Sequence, residues 1–448
     1  MNLYQALLQR AEGHRPIRVG LIGAGKFGTM FLAQVRRTPG LHVLAIADLD
    51  PDRACRAGAA IGWPPEAMTA TSAADAFAHG STWITDDGQK LIAADGLDVV
   101  IEATGDPGAG IRHALAAIEH GRHMVMVTVE ADVVAGPLLA RKANAAGLVY
   151  SLAYGDQPAI IAEQVDWARA SGFKVVCAGK GTRYLPAFHA STPDTVWENF
   201  GISPELAQRG GMNPKMYNSF IDGTKSSIEM TAVCNATGLT PQWDGLGFPP
   251  ASCYELAEVC RPKNAGGMIS HEGTTEVVSS LRRDGTPVEH HLQMGTYVVV
   301  EAEHEYVSNC FEEYRFLPDP TFRYSAMYRP THLIGLELGI SVASIGIRGE
   351  PTGAPKMFNA DVVATAKRDL AAGEMLDGEG GRCVWGKQLP AVRSLELGGL
   401  PLGLAHNVQL KQAKKAGELL TWADVDFAED DSVVRVRREM ERTFHPNS

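Results

Sequence analysis

What this 448-residue chain lacks narrows its possible functions first. It has no surplus of positive charge. Against 52 Asp and Glu it sets 41 Lys and Arg, leaving −11 at pH 7, which disfavours nonspecific binding to nucleic acid or to an anionic membrane surface. A local basic pocket for an anionic substrate stays compatible with that balance. No apolar run approaches the roughly 20 residues needed to span a bilayer. Residues 1–16 carry neither a signal-peptide core nor a small-residue cleavage pattern. The cysteines, Cys55, Cys177, Cys234, Cys253, Cys260, Cys310 and Cys383, are scattered, odd in number and without a Cys-x-x-Cys pair. Structural zinc and a disulfide framework are therefore not expected, and a reducing, cytoplasmic setting is.

What remains is 45% apolar and 21% charged, an ordinary globular composition whose length implies two or three domains. Residues 17–28, Ile-Arg-Val-Gly-Leu-Ile-Gly-Ala-Gly-Lys-Phe-Gly, read as a buried strand, a glycine turn and the start of a helix. Gly23 suits the tight turn, Gly25 the close approach of a pyrophosphate, and Gly28 the packing of helix on strand, with Lys26 and Phe27 inside the turn. The free amides of the helix N-terminus would face the phosphates. A second strand, His42 to Ala47, ends at Asp48, twenty residues after Gly28, where an acid can hold a ribose hydroxyl. A dinucleotide site is the expectation.

Alternating strands and helices continue to about residue 155, predicting an α/β fold with a Rossmann-type parallel sheet over 1–155. Strands are expected at Leu97–Ala103, His123–Val129 and Leu148–Ala153, and helices at Ile111–Glu119 and Gly136–Ala146. Trp63–Lys90 looks like an insertion without chemistry. Residues 156–350 suggest a mixed α+β domain for substrate and dimerisation, with a helix at Pro158–Ala170 and strands at Lys174–Ala178, Glu276–Arg282 and Tyr297–His304. A polar loop is expected over Arg183–Gly211, a helix over Asp222–Ala236 and a linker over Gly349–Pro355. Residues 359–430 form a third, small β-rich unit. In it the phrase "basic segment, Ala-Gly-Glu, apolar pair" occurs near 367–376 and again near 411–420.

Several residues are candidates for chemistry. Thr104-Gly105, at the end of a central strand, lies where a nicotinamide would sit. Glu130 and Tyr154-Gly155-Asp156-Gln157 follow other strands and open on the same side, where each could equally cap a helix. Lys180, between Gly179 and Gly181 after a strand, suits a cation near a carbonyl or phosphate. Asp222, Lys225, Ser226 and Glu229 share one helical stripe, as either a proton-relay set or ordinary surface contacts. Arg323, Arg329 and His332, close to Tyr324 and Tyr328, make the best anion site on an acidic chain. Glu301, Glu303 and Glu305 alternate as on one strand face, and a solvated face suits them better than a metal site.

Through Gly-Ala-Gly-Lys-Phe-Gly (23–28) and Val-Val-Ile-Glu-Ala-Thr-Gly (99–105), the first 155 residues resemble the dinucleotide-binding domain of homoserine dehydrogenases. Glu130-Ala131 stands where those enzymes carry Asn-Lys, and Asp222-Gly-Thr-Lys does not reproduce their homoserine-binding helix, so homoserine is not the expected substrate. Over its whole length the chain resembles a bacterial group that joins this domain to a C-terminal SAF domain. The resemblance rests on Gly-Lys-Gly-Thr-Arg-Tyr-Leu-Pro (179–186), Asp-Gly-Thr-Lys-Ser (222–226), Tyr-Arg-Pro-Thr-His-Leu-Ile-Gly-Leu-Glu-Leu-Gly-Ile-Ser (328–341) and Leu-Gly-Leu-Ala-His-Asn-Val (402–408). This group includes 1-deoxy-D-xylulose 5-phosphate reductoisomerase-like enzymes.

The resemblance implies an NADPH-dependent homodimer that rearranges a sugar-phosphate skeleton by retro-aldol and aldol steps. It then delivers hydride to the aldehyde, giving 2-C-methyl-D-erythritol 4-phosphate. Lys180 and Lys225 would polarise the carbonyl, Asp222 or Glu229 would move protons, and Arg323, Arg329 and His332 would anchor the anion. On electrostatics Asp48 favours NAD(H); the resemblance and nearby Arg53 favour NADP(H), which is the preferred expectation. A divalent metal is left open, with no ligands assigned. A dehydrogenase of a non-phosphorylated polyol or sugar acid, and a non-catalytic SAF-containing binding protein, are the alternatives.

Overall fold

The computed structural model describes residues 2–428 and 430–445. They divide into two units. The first takes residues up to Ile160 together with Leu333–Lys356, and the second takes Ile161–His332 together with the chain from Met357 onward.

The first unit is built on six parallel strands: β1 (Ile17–Ile22), β2 (Leu41–Ala47), β3 (Trp83–Thr85), β4 (Val99–Glu102), β5 (His123–Met126) and β6 (Tyr150–Leu152). Their order is β3-β2-β1-β4-β5-β6, the doubly wound arrangement in which ligands collect where the order reverses, beside β1. The strands are buried almost throughout, as a sheet covered on both faces requires. Trp63–Lys90 is therefore no mere insertion, because it supplies the edge strand β3. Three residues are too few to show a period, so the strand leaves no pattern in the sequence.

Leu333–Lys356 returns to this unit rather than belonging to the middle domain. Val342, Ala343 and Ile345 of the helix Gly339–Arg348 join Leu21, Phe31 and Val99 in one core cluster. The expected linker is stitched down as well: Leu152 N–H donates to Gly353 O at 2.8 Å, and Thr352 Oγ1 lies 2.6 Å from Ser341 Oγ.

The second unit carries a four-stranded sheet of β7 (Lys174–Thr182), β8 (Thr274–Ser279), β9 (Thr296–Glu301) and β10 (Tyr324–Arg329), in the order β10-β9-β7-β8. Only β7 and β8 run parallel. One face packs on the helices Gln157–Ala170 and Thr224–Thr237 through Ala178, Val277, Val298, Val165 and Val233. The supposed polar loop 183–211 holds three short helical segments, Pro186–Ala190, Val196–Phe200 and Pro204–Arg209.

The C-terminal residues add two small antiparallel pairs to this unit, β11 (Ala360–Ala366) with β13 (Val384–Pro390), and β12 (Met375–Asp377) with β14 (His406–Gln409). The repeated phrase is structural. Leu370 and Lys414 exchange backbone hydrogen bonds at 2.8 and 3.0 Å. Each copy also closes the same turn, with Glu374 accepting from Ala371 N–H and Glu418 from Lys415 N–H.

Candidate active site

In the first unit the glycine turn has the geometry its spacing implies. Gly23 is left-handed (φ +98°), and a Cβ there would lie 2.5 Å from Ala103 O. A Cβ on Gly28 would lie 2.2 Å from Gly23 O. At Gly25, the N-cap of the helix Lys26–Val35, a Cβ would meet nothing within 4 Å. Two glycines are thus demanded by packing, and the third borders open space at a helix N-terminus, a fitting place for a pyrophosphate.

Asp48 follows β2 but is not presented as a bare ribose ligand. Its side chain is buried, with Oδ2 accepting from Ala24 N–H at 2.8 Å and Oδ1 from Asp50 N–H at 2.9 Å. Arg53 pairs with it through Nε and Nη2 at 3.1 and 2.8 Å while its own side chain stays half exposed. The half-exposed group beside Asp48 is therefore a guanidinium.

Thr104 and Gly105 are held from below. Buried Glu102 accepts from Thr104 Oγ1 at 2.5 Å, and Gly105 N–H donates to Thr128 Oγ1 at 3.0 Å. Glu130 lies in the first turn of the helix Val129–Ala145, and Asp156 Oδ1 accepts from Gln157 N–H at 2.8 Å.

One buried group here makes stability depend on pH. Asp132 is fully buried and accepts from Tyr150 Oη at 3.0 Å, and its desolvation pushes the carboxyl up to about 7. Because this folded value exceeds the unfolded one, the stabilisation is complete below about pH 4 and is lost as pH rises toward 7. Asp132→Asn should therefore melt at a higher temperature than wild type at pH 8, with the gain vanishing near pH 4. An equal offset at both pH values would show that this carboxyl does not titrate in that range.

In the second unit Lys180 is not in a loop after its strand. β7 continues through Thr182, and Lys180 pairs with Val277 on one side and Thr296 on the other. Nor do its flanking glycines serve to keep the ammonium open. A Cβ on Gly179 would lie 1.8 Å from Glu276 O, and one on Gly181 would lie 1.9 Å from Leu292 O, so the glycines admit neighbouring backbone. The Lys180 side chain is 7% exposed and forms an ion pair with Glu229, itself 3% exposed.

The stripe over 222–229 is also altered. The helix begins at Thr224, and Asp222 precedes it, its Oδ1 accepting from Thr224 N–H at 2.9 Å. Asp222 Oδ2 lies 2.7 Å from Lys367 Nζ. Lys367 also donates to Ser191 O and Gly381 O, both at 2.7 Å. Asp222 and Glu229 are thus paired by lysines distant in sequence, and Lys225 stands between them, partly exposed.

Two further groups have no signal in the spacing of the sequence. Tyr184 Oη and His189 Nε2 lie 2.8 Å apart, and His189 Nδ1 is 2.7 Å from Asp222 O. The imidazole stacks on Trp385 of β13 at 3.8 Å, and the Tyr184 ring stacks on Phe248 at 3.9 Å. Only the phrase at 179–186 hinted at Tyr184. His189, Lys367 and Trp385 are brought in by the fold.

The expected anion site is reduced. Arg323 is engaged by buried Glu301, which Lys174 also reaches at 2.7 Å. Arg329 ends β10, and His332 Nδ1 lies 2.8 Å from Met294 O. β9 stops at Glu301, Glu303 lies beyond it and Glu305 opens the helix Glu305–Tyr314, so the three acids share no strand face. Among the described residues no group of three or more His, Cys, Asp or Glu is placed to hold a metal ion. No helix among them is long and apolar enough to cross a membrane.

A profile of the family "Oxidoreductase DRL, catalytic domain" matches residues 155–338. No curated protein matches the chain. Among solved structures, a myo-inositol dehydrogenase from Corynebacterium glutamicum is similar at 14% identity (TM-score 0.29), covering 40% of this chain and 48% of that one. A biliverdin reductase from Synechocystis, solved with biliverdin and NADP+, is similar at 18% identity (TM-score 0.28) over 43% and 55%. The chain thus spans about half the length of these two. A Lactobacillus casei myo-inositol dehydrogenase, solved with NAD(H) and myo-inositol, is similar at 14% identity (TM-score 0.33) over 64% and 71%. The matched family span contains Lys180, Asp222 and Glu229. The dinucleotide turn of the first unit lies outside that span.

Proposed function

We propose that this oxidoreductase uses NADPH to reduce the carbonyl of a small anionic polyol derivative. Most concretely, the reading is conversion of 1-deoxy-D-xylulose 5-phosphate to 2-C-methyl-D-erythritol 4-phosphate. The observation that carries it is the buried Lys180–Glu229 pair. An ammonium in a water-poor site can polarise a carbonyl oxygen and stabilise the alkoxide that develops from it. Glu229 and Asp222 are carboxylates able to take a hydroxyl proton during carbon–carbon cleavage. The nicotinamide supplies the hydride when bound. Gly23, Gly25 and Gly28 would carry its pyrophosphate, and Arg53 favours a ribose 2′-phosphate.

The test is turnover of 1-deoxy-D-xylulose 5-phosphate with NADPH, with the product identified by mass spectrometry. Arg53→Ala should weaken NADPH binding by about tenfold, the value of one charge-assisted contact, and leave NADH within about twofold. A wild-type preference for NADH would overturn the cofactor assignment. A second reading, oxidation of a non-phosphorylated sugar acid, is favoured by the engagement of Arg323 with Glu301, which removes one cation from phosphate binding. Turnover of sugar acids without turnover of the sugar phosphate would select it.

A further inference from the structure

We propose that Tyr184 and His189 form the proton-transfer pair of this active site, a role that rests on the oxidoreductase reading above. The tautomer follows from the contacts. Asp222 O can only accept, so His189 Nδ1 carries the proton that meets it at 2.7 Å. Nε2 is then the acceptor, and the Tyr184 hydroxyl donates to it at 2.8 Å.

Both rings are fixed. His189 lies between Trp385, stacked at 3.8 Å, and the edge of Phe248, and Tyr184 is stacked on Phe248. The phenol is buried and the imidazole partly exposed. Tyr184 also packs in the same cluster as Ala178 and Val277, on the sheet face covered by the helix that bears Glu229. The pair therefore belongs to the Lys180 side of the sheet.

The protonation states suit transfer. Burial pushes the imidazole below its ordinary value and the phenol up to about 12, so near pH 7 the ring is neutral and the hydroxyl protonated. The charges facing His189 are Asp222, which favours its cation, and Lys367 and Lys387, which oppose it. Arg283 lies over the Tyr184 ring at 5.7 Å.

In the oxidising direction a substrate hydroxyl passes its proton to Tyr184 Oη as the phenolic proton moves to His189 Nε2. The carbinol C–H leaves as hydride to the oxidised nicotinamide coenzyme. One carbonyl, one reduced coenzyme and one imidazolium result, with Asp222 O bonded to Nδ1–H and Trp385 against the cation. Carbonyl reduction runs the same steps backwards.

One experiment needs no substrate. In the full-length protein labelled with 15N-histidine, His189 should show a protonated Nδ1 and an unprotonated, hydrogen-bonded Nε2 from about pH 6 to 8. Tyr184→Phe should shift the Nε2 resonance. A proton resident on Nε2, or an Nε2 resonance indifferent to Tyr184→Phe, overturns the pair.

The second experiment is kinetic, with 1-deoxy-D-xylulose 5-phosphate and NADPH. Tyr184→Phe and His189→Gln should each lower kcat by about 100-fold or more, leaving NADPH affinity within about threefold. The double variant should lose little beyond either single one, as groups acting in one step do. Unchanged kcat in either single variant overturns the proposal. If wild type turns over neither the sugar phosphate nor a sugar acid, the functional reading fails, and the NMR result still decides the pair.

Discussion

Lys180→Met is expected to lower turnover by about 1,000-fold and to destabilise the second unit by about 3–5 kcal/mol. The first effect follows, on the proposed function, from removing the cation that would polarise the substrate carbonyl. The second comes from the partner left behind: Glu229, 3% exposed, would lose the ammonium paired with it. Pairing Lys180→Met with Glu229→Leu should recover most of the stability, since an apolar pair of similar volume tolerates burial. It should recover none of the turnover. Denaturant unfolding and steady-state kinetics on the same three proteins separate the two effects. A single variant as stable as wild type would mean that water reaches Glu229, and the site would not be the dry one on which the mechanism depends.

Arg437→Met should be nearly as damaging to stability, with no direct effect on chemistry. Arg437 lies on the helix Ser432–Thr443 and is fully buried. It meets both oxygens of Asp361 at 3.0 and 2.6 Å, reaches Glu441 at 2.9 Å and lies over the Phe358 ring. Truncation leaves the buried Asp361 carboxylate without its cation, held by Val362 N–H and Ser394 Oγ, while Glu441 keeps Arg438, so a loss of about 3–5 kcal/mol is expected. Arg437→Lys should rescue little, because one ammonium cannot reproduce the forked contact. Unfolding by urea measures both. A lysine variant of wild-type stability would show that charge alone, without the fork, secures this helix.

The parts of the molecule legible in sequence were those whose signal is local. The strand Ile17–Ile22, its glycine turn and the start of the helix after it are encoded in twelve consecutive residues, with Gly23 and Gly28 each meeting a steric demand and Gly25 bordering open space. The alternation that follows reports a sheet buried on both faces. Its failures are equally physical. β3 is only three residues long, too short for a period to register. Lys180 looked like a loop residue because Gly179 and Gly181 usually break strands, whereas here they admit the carbonyls of Glu276 and Leu292. Asp222 and Glu229 were singled out by their spacing and Lys180 by its flanking glycines, but the pairing of Glu229 with Lys180 and of Asp222 with Lys367 was not. Lys367 lies 145 positions beyond Asp222, and nothing in a linear pattern announces that meeting. His189 and Trp385 escaped for the same reason. Arg323 misled in the opposite sense: a cluster of basic and aromatic residues resembles an anion site until the acid opposite it, Glu301, is placed.

The route of the chain through its first unit has a consequence for synthesis. Val342, Ala343 and Ile345 complete a core begun by Ile17, Leu21 and Phe31, so the amino-terminal sheet leaves the ribosome with apolar surface still bare. The closing helix follows roughly 10–40 seconds later at ordinary elongation rates. During that interval the nascent polypeptide carries apolar surface that only residues near 340 can cover, the kind of exposure that favours aggregation.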